Sequence, residues 1–142
     1  MRRWISGALG VLLGINGLVQ IAVSFWWYNA VPGVPATGAY NPHFVRDIGA
    51  AYLTVAFGLG WFAWRPGQGW PALTAAASFL VMHAGVHLFD ASCSARPLHD
   101  LIRDFPGVFA PALIAAALSV AGRPSRSVRH VEGLSEVETS NF

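Results

Sequence analysis

The feature that most constrains this chain is a series of four long apolar stretches, at about residues 4–28, 44–64, 71–90 and 105–122. At about 1.5 Å per residue, helices of roughly this length cross a hydrocarbon core about 30 Å thick. Of the 142 residues, 54% are hydrophobic and only 11% are charged, whereas soluble domains carry about 25% charged residues. We therefore predict an all-α protein built as a bundle of four transmembrane helices.

Short polar or helix-breaking segments separate these stretches. Arg-Pro-Gly at 65–67 ends the second stretch, and Pro71 suits the first turn of the third helix. Residues 95–104 repeat apolar side chains at helical spacing, which predicts a short interfacial helix before the fourth span. We expect one membrane domain over residues 1–122 and a mobile polar tail over 123–142, which is too polar to bury a core.

The arginines set the expected orientation. With four spans, both ends of the chain lie on one side of the membrane, and that side holds six of the nine basic residues. The positive-inside rule then places both termini in the cytoplasm and predicts a multi-pass protein of the inner (plasma) membrane. Those six residues are Arg2, Arg3, Arg65, Arg123, Arg126 and Arg129.

Small residues follow one face of the first span. Glycines permit close helix approach, and neighbouring polar side chains can hydrogen-bond across a helix interface. This pattern favours packing within the bundle, and it leaves self-association between copies open. The glycines are Gly7, Gly10, Gly14 and Gly17, and the polar neighbours include Asn16 and Gln20.

Ionisable residues gather towards the predicted outer side. On the third span, His83, His87 and Asp90 fall within about 60° of one another around the helix. The second span presents His43 and Asp47 on one stripe, and the short connection makes the two spans antiparallel neighbours. The predicted site therefore consists of His43, Asp47, His83, His87 and Asp90, supported by Arg46, Thr54, Asn16 and Gln20.

This cluster permits several kinds of chemistry. Two imidazoles one turn apart and a facing carboxylate can bind a transition metal such as Cu, Zn or Fe. One histidine from each helix can instead ligate haem b, and the same groups can serve a quinone headgroup or a proton relay. A purely structural polar lock between the helices is the remaining alternative.

No catalytic signature accompanies the cluster. HAGVH at 83–87 has the histidine spacing of a zinc protease, but Ala and Gly stand where its catalytic Glu would be. The basic residues are dispersed, which argues against nucleic-acid binding. We therefore expect a membrane accessory or binding protein in contact with lipid and with other membrane subunits, and an enzyme is the less favoured class.

Two short motifs carry a resemblance to a known family. NPHFVRDIGAAYL at 41–53 and HAGVHLFD at 83–90, in a chain with four spans, resemble small bacterial membrane proteins of the DoxX-like kind. The resemblance implies a four-helix membrane bundle. Some relatives are implicated as quinone-linked or accessory oxidoreductase subunits, and no catalytic residue can be carried over to this sequence.

Overall fold

A computed structural model describes residues 1–123, and this part of the chain is helical without a β-strand. The all-α prediction is confirmed for these residues, whereas the predicted tail from 124 onward lies outside them. The helices are α1 (Arg2–Ala22), α2 (Ser24–Ala30), α3 (Pro42–Trp64), α4 (Pro66–Ser92), α5 (Pro97–Asp104) and α6 (Ala110–Ala121). A 3-10 turn covers Val34–Thr37, and a π-helical turn covers Phe105–Phe109.

Three helical segments of the described chain are long and apolar enough to cross a membrane: Arg2–Ala22, Pro66–Ser92 and Pro97–Ala121. A membrane protein is therefore supported. Helix α3 has 23 residues, but it does not reach the same hydropathy because Arg46 and Asp47 lie near its start. The third segment joins α5, the π turn and α6.

Three predicted boundaries differ from the structure. The third span, predicted to begin at Pro71, begins at Pro66, so Pro71 lies inside helix α4 and not in its first turn. The first apolar stretch, predicted as one span over 4–28, is interrupted at Val23, whose backbone (φ −134°, ψ 50°) leaves the helical region. The fourth stretch does not begin at 105, because the helical chain already starts at Pro97 and continues through the π turn. The short helix predicted over 95–104 is present as α5.

The long segments run alternately in opposite directions. Helix α1 packs along α3, α3 along α4, and α4 along α6, whereas α1 and α6 make only slight contact. The Arg2 guanidinium donates a hydrogen bond to the carbonyl of Ala121, and Trp70 Nε1 donates to the carbonyl of Ser119 at 2.8 Å. The start of α1, the start of α4 and the end of α6 therefore share one end of the bundle, here called the basic end.

The opposite end, here called the acidic end, contains α2, α5 and the start of α3. All four aspartates of the chain lie in the segments at this end, namely Asp47, Asp90, Asp100 and Asp104. Helix α3 begins there with a well-formed cap, because the Asn41 side chain accepts hydrogen bonds from the backbone N–H groups of His43 and Phe44 at 3.0 and 3.2 Å.

The glycine face of α1 packs against α3. A Cβ atom on Gly17 would lie 2.7 Å from the carbonyl oxygen of Gly49, so only glycine permits this approach. A Cβ on Gly10 would lie 3.3 Å from the carbonyl oxygen of Ala56. This is the packing within the bundle that the glycine pattern favours. Self-association through the same face would require a surface that α3 occupies. Gly7 and Gly14 face α3 in the same way.

Candidate functional site

The acidic half of the bundle encloses a cavity of about 1230 Å³. The walls from α1, α3 and α6 are mostly apolar, while α4 and α5 contribute most of its polar groups. A large, mostly apolar cavity with a few convergent polar groups is the usual form of a small-molecule site. The apolar walls include Leu9, Leu13, Ile48, Pro111 and Ile114, and the polar groups include His83, His87, Asp90, Asp100, Arg103 and Asp104.

A hydrogen-bonded network joins α4 to α5 at the polar end of the cavity. His87 Nδ1 lies 2.8 Å from Asp104 Oδ2, and these side chains are 30% and 12% exposed. Arg103 Nε donates to Asp104 Oδ1 at 2.7 Å, and Arg103 Nη1 donates to Asp100 Oδ1 at 2.8 Å. Because a carboxylate only accepts, this contact assigns a proton to His87 Nδ1, so the neutral ring keeps Nε2 as an acceptor.

His83 lies next to this network and one helical turn further into the bundle, where it makes ring contacts. Its ring centroid lies 4.8 Å from that of His87, and the ring stacks on Phe79 with an interplanar angle of 6°. Tyr52 of α3 meets His83 edge-on, with the ring centroids 5.9 Å apart. Asp104, His87, His83 and Tyr52 thus form a continuous series from α5 to α3, here called the polar column.

The inner half of the polar column has unused hydrogen-bonding capacity. His83 and Tyr52 both line the cavity, and neither side chain takes part in a hydrogen bond within residues 1–123. His83 lies nine residues before the end of α4 at Ser92, which places it about 14 Å along the helix from that end. Polar groups this far inside a helical bundle are costly unless something satisfies them. An imidazole and a phenol therefore face the cavity ready to bind a polar group.

The structure separates the two halves of the predicted metal site. His43 and Asp47 pair with each other at 3.4 Å on the surface, where their side chains are 87% and 62% exposed. Neither lines the cavity, although Asp90 does. Within residues 1–123, no group of three or more His, Cys, Asp or Glu side chains is placed to hold a metal ion. The five residues grouped from the sequence therefore do not assemble around one ion in this structure.

The predicted supporting residues also have separate roles. Arg46 is exposed, and the Thr54 hydroxyl donates to a carbonyl of its own helix at 3.1 Å. Asn16 lines the cavity, and its Oδ1 accepts a hydrogen bond from Trp27 Nε1 at 2.9 Å. Gln20 is fully buried, and its amide has no hydrogen-bond partner in the described part of the chain.

The sequence analysis missed the contribution of α5 to the site. Asp100, Arg103 and Asp104 lie in the segment 95–104, for which only a short interfacial helix was predicted. Their spacing places all three on one helical face, and a short connection joins α5 to α4. Comparing that face with the histidine stripe of α4 could have predicted the His87–Asp104 pair. Tyr52, in contrast, gave no signal, because an aromatic residue within an apolar span is ordinary.

The segment 31–37 covers the polar end of the cavity and is here called the roof. Gly33 adopts a left-handed backbone with φ +87°, and a Cβ atom there would lie 2.5 Å from Cζ of Arg103. Glycine therefore allows the roof to sit directly on the guanidinium group. Residues of the roof that line the cavity are Val31, Pro32, Gly33, Val34, Ala36 and Thr37.

No protein-family model, curated protein or solved structure matches this chain. The resemblance to DoxX-like proteins therefore stays a prediction from two motifs. The functional evidence is the geometry of the cavity and of the polar column.

Proposed function

We propose that the chain spans the inner membrane four times, with α3 as the additional span and both termini in the cytoplasm. Helix α3 packs between α1 and α4, both of which are apolar enough to cross a membrane. The alternating helix directions bring Arg2 and Ala121 to the same end. Arginines at the basic end and aspartates at the acidic end support a cytoplasmic location for the basic end.

Within this arrangement, we propose that the protein binds a lipophilic small molecule in the cavity and holds its polar end at the polar column. The observation that carries this proposal is the combination of an apolar cavity with two polar side chains, His83 and Tyr52, that have no hydrogen-bond partner in the described part of the chain, beside the fixed His87–Asp104 pair. Without a ligand, polar side chains at this depth in the membrane would cost free energy and make few compensating hydrogen bonds.

The donor and acceptor pattern favours a carbonyl or hydroxyl group as the polar end of the ligand. The Tyr52 hydroxyl can donate, the His83 ring has one donor and one acceptor nitrogen when neutral, and His87 Nε2 can accept. Arg103 is already engaged by two carboxylates. The site therefore supports binding through neutral hydrogen bonds, and we assign the protein to membrane accessory or binding proteins rather than enzymes.

Identification of co-purifying molecules tests this proposal. Protein purified in a mild detergent is extracted with organic solvent, and the extract is analysed by liquid chromatography and mass spectrometry. We expect one lipophilic compound to be enriched with the wild type and depleted at least fivefold in His87→Leu and His83→Leu. His43→Leu is the matched control, because His43 is exposed and lies outside the cavity. Equal extracts from all four proteins would contradict the proposal.

A second candidate is a quinone-linked redox subunit, favoured by the 4.8 Å contact between the His83 and His87 rings and the 2.8 Å pair beyond it. Such a series of titratable groups suits proton exchange with a reducible headgroup. A quinone in the extract would select this candidate. Stoichiometric Cu, Zn or Fe that disappears in His83→Ala and His87→Ala would contradict both candidates and indicate a metal site. A haem absorption band would likewise contradict both and indicate a haem site.

A further inference from the structure

The cavity has an opening between α1 and α6. Leu12 of α1 and Ile114 of α6 both line the cavity, and their exposed fractions are 65% and 39%. Among the long segments that pack against each other, these two helices also make the slightest contact. The gap between them therefore connects the cavity to the outer surface.

This opening lies at the depth of the lipid chains. Leu12 is ten residues along α1 from Arg2, or about 15 Å from the basic end. Ile114 is seven residues from the end of α6 at Ala121, or about 10 Å. The adjacent outer surface is apolar, with Val11 and Leu113 each 62% exposed. In a four-span arrangement, the opening faces hydrocarbon rather than water.

The roof covers part of the polar end of the cavity. Gly33 in the roof packs on the Arg103 guanidinium so closely that a single added carbon would overlap it. At the π turn, Pro106 and Gly107 line the cavity, and a Cβ on Gly107 would meet no atom within 4 Å. A π-helical turn of this kind is frequent at functional sites.

The charge at the polar end selects the headgroup. Three aspartates and two arginines line the cavity there, so their sum is −1 when the histidines are neutral. Arg103 is paired with two of these aspartates. An anionic headgroup would meet net negative charge there, and the Arg103 guanidinium is already engaged, whereas a neutral hydroxyl or carbonyl avoids this cost. The lining charges are Asp90, Asp100, Asp104, Arg96 and Arg103.

We infer that the occupant is a neutral-headed lipid of the bilayer that reaches the cavity laterally between α1 and α6. This inference rests on the proposed binding function and adds its ligand class and access route. The chain of the lipid lies along the apolar walls, and its head reaches the inner half of the polar column at His83 and Tyr52.

Photolabelling in a bilayer tests the route. The protein is reconstituted in phosphatidylcholine nanodiscs, hexadecanol carrying a diazirine is added, and samples are irradiated at increasing times. Mass spectrometry measures adducts on the cavity-facing stretch 83–91. We expect Ile114→Trp to slow this labelling at least fivefold, because the indole obstructs the opening. Leu113→Trp is the matched control, since it places the same ring on the adjacent lipid-facing position outside the cavity.

A second pair of variants and a second probe complete the test. Leu12→Trp should slow labelling as Ile114→Trp does, and Val11→Trp should not. Hexadecyl phosphate carrying the same diazirine should give at least fivefold less cavity labelling than the alcohol.

Equal labelling rates in the opening variants and their controls would overturn the lateral route while the binding function stands. Stronger labelling by the phosphate would overturn the neutral-headed class. Absence of cavity adducts in the wild type, together with no enriched compound in the solvent extract, would instead overturn the binding function itself.

Discussion

Replacing Asp104 with Asn tests the polar column at the residue that anchors it. The Asp104 carboxylate accepts from His87 Nδ1 at 2.8 Å and from Arg103 Nε at 2.7 Å, and its side chain is 12% exposed. Asparagine has nearly the same shape but one acceptor oxygen. Its amide NH2 group would face a donor in either orientation, so at least one charged hydrogen bond is lost without any change in packing volume.

The expected loss of stability depends on how deeply the Asp104 ion pair is buried and on the hydrogen bond that Arg103 keeps after the substitution. A hydrogen bond to a charged group contributes about 1.5–3 kcal/mol, and breaking a well-buried ion pair costs about 3–5 kcal/mol. Arg103 is 27% exposed and keeps its bond to Asp100, which reduces the penalty. We therefore expect Asp104→Asn to lower the free energy of unfolding by about 2–3 kcal/mol. Titration with sodium dodecyl sulfate in mixed micelles, followed by circular dichroism, measures this quantity.

Asp47→Asn is the matched control for this prediction. The Asp47 carboxylate also pairs with a histidine, but at 3.4 Å and with both side chains largely exposed. Such surface pairs contribute about 0–1 kcal/mol. Combining Asp104→Asn with His87→Leu should cost less than the sum of the single changes, because the two residues share one interaction. A loss for Asp104→Asn no larger than that for Asp47→Asn would refute the proposed anchoring role.

Three further predictions test the packing, the roof and the orientation. Gly17→Ala should lower the free energy of unfolding by about 1–3 kcal/mol through overpacking, since its Cβ would lie 2.7 Å from a carbonyl oxygen of α3. Gly60→Ala is the control and should not lower it through overpacking, because a Cβ there meets no atom within 4 Å. Gly33→Ala should displace the roof from Arg103 and raise the rate of limited proteolysis in the roof, and an unchanged rate would contradict the contact. A reporter fused after Phe142 should be active in the cytoplasm, whereas periplasmic activity would reverse the proposed orientation.

Local periodicity was sufficient to predict the helices and one half of the site. His83 and His87 are four residues apart, so they share a helical face whatever the helix packs against. The structure places both on the cavity, as that spacing indicates. The interruption at Val23 and the π turn could not be predicted in the same way, because apolar composition fixes the length of a stretch but not a local departure from helical geometry.

The rotation of α3 about its axis could not be predicted from its own polar residues. Close packing fixes it instead, because Gly49 must face Gly17 at the approach between α1 and α3. At 100° per residue, Asp47 is then turned about 160° away from Gly49, towards the surface, whereas Tyr52 is only about 60° from it. The same contact that excludes Asp47 from the cavity therefore brings Tyr52 to His83.

Native mass spectrometry of the purified protein tests the central claim most directly, because it counts molecules bound to each chain. We expect one small-molecule adduct on the wild-type chain and on His43→Leu, and we expect its loss from His83→Leu and His87→Leu. A wild-type chain at its bare mass, or an adduct equally retained by all four proteins, would contradict a ligand held at the polar column.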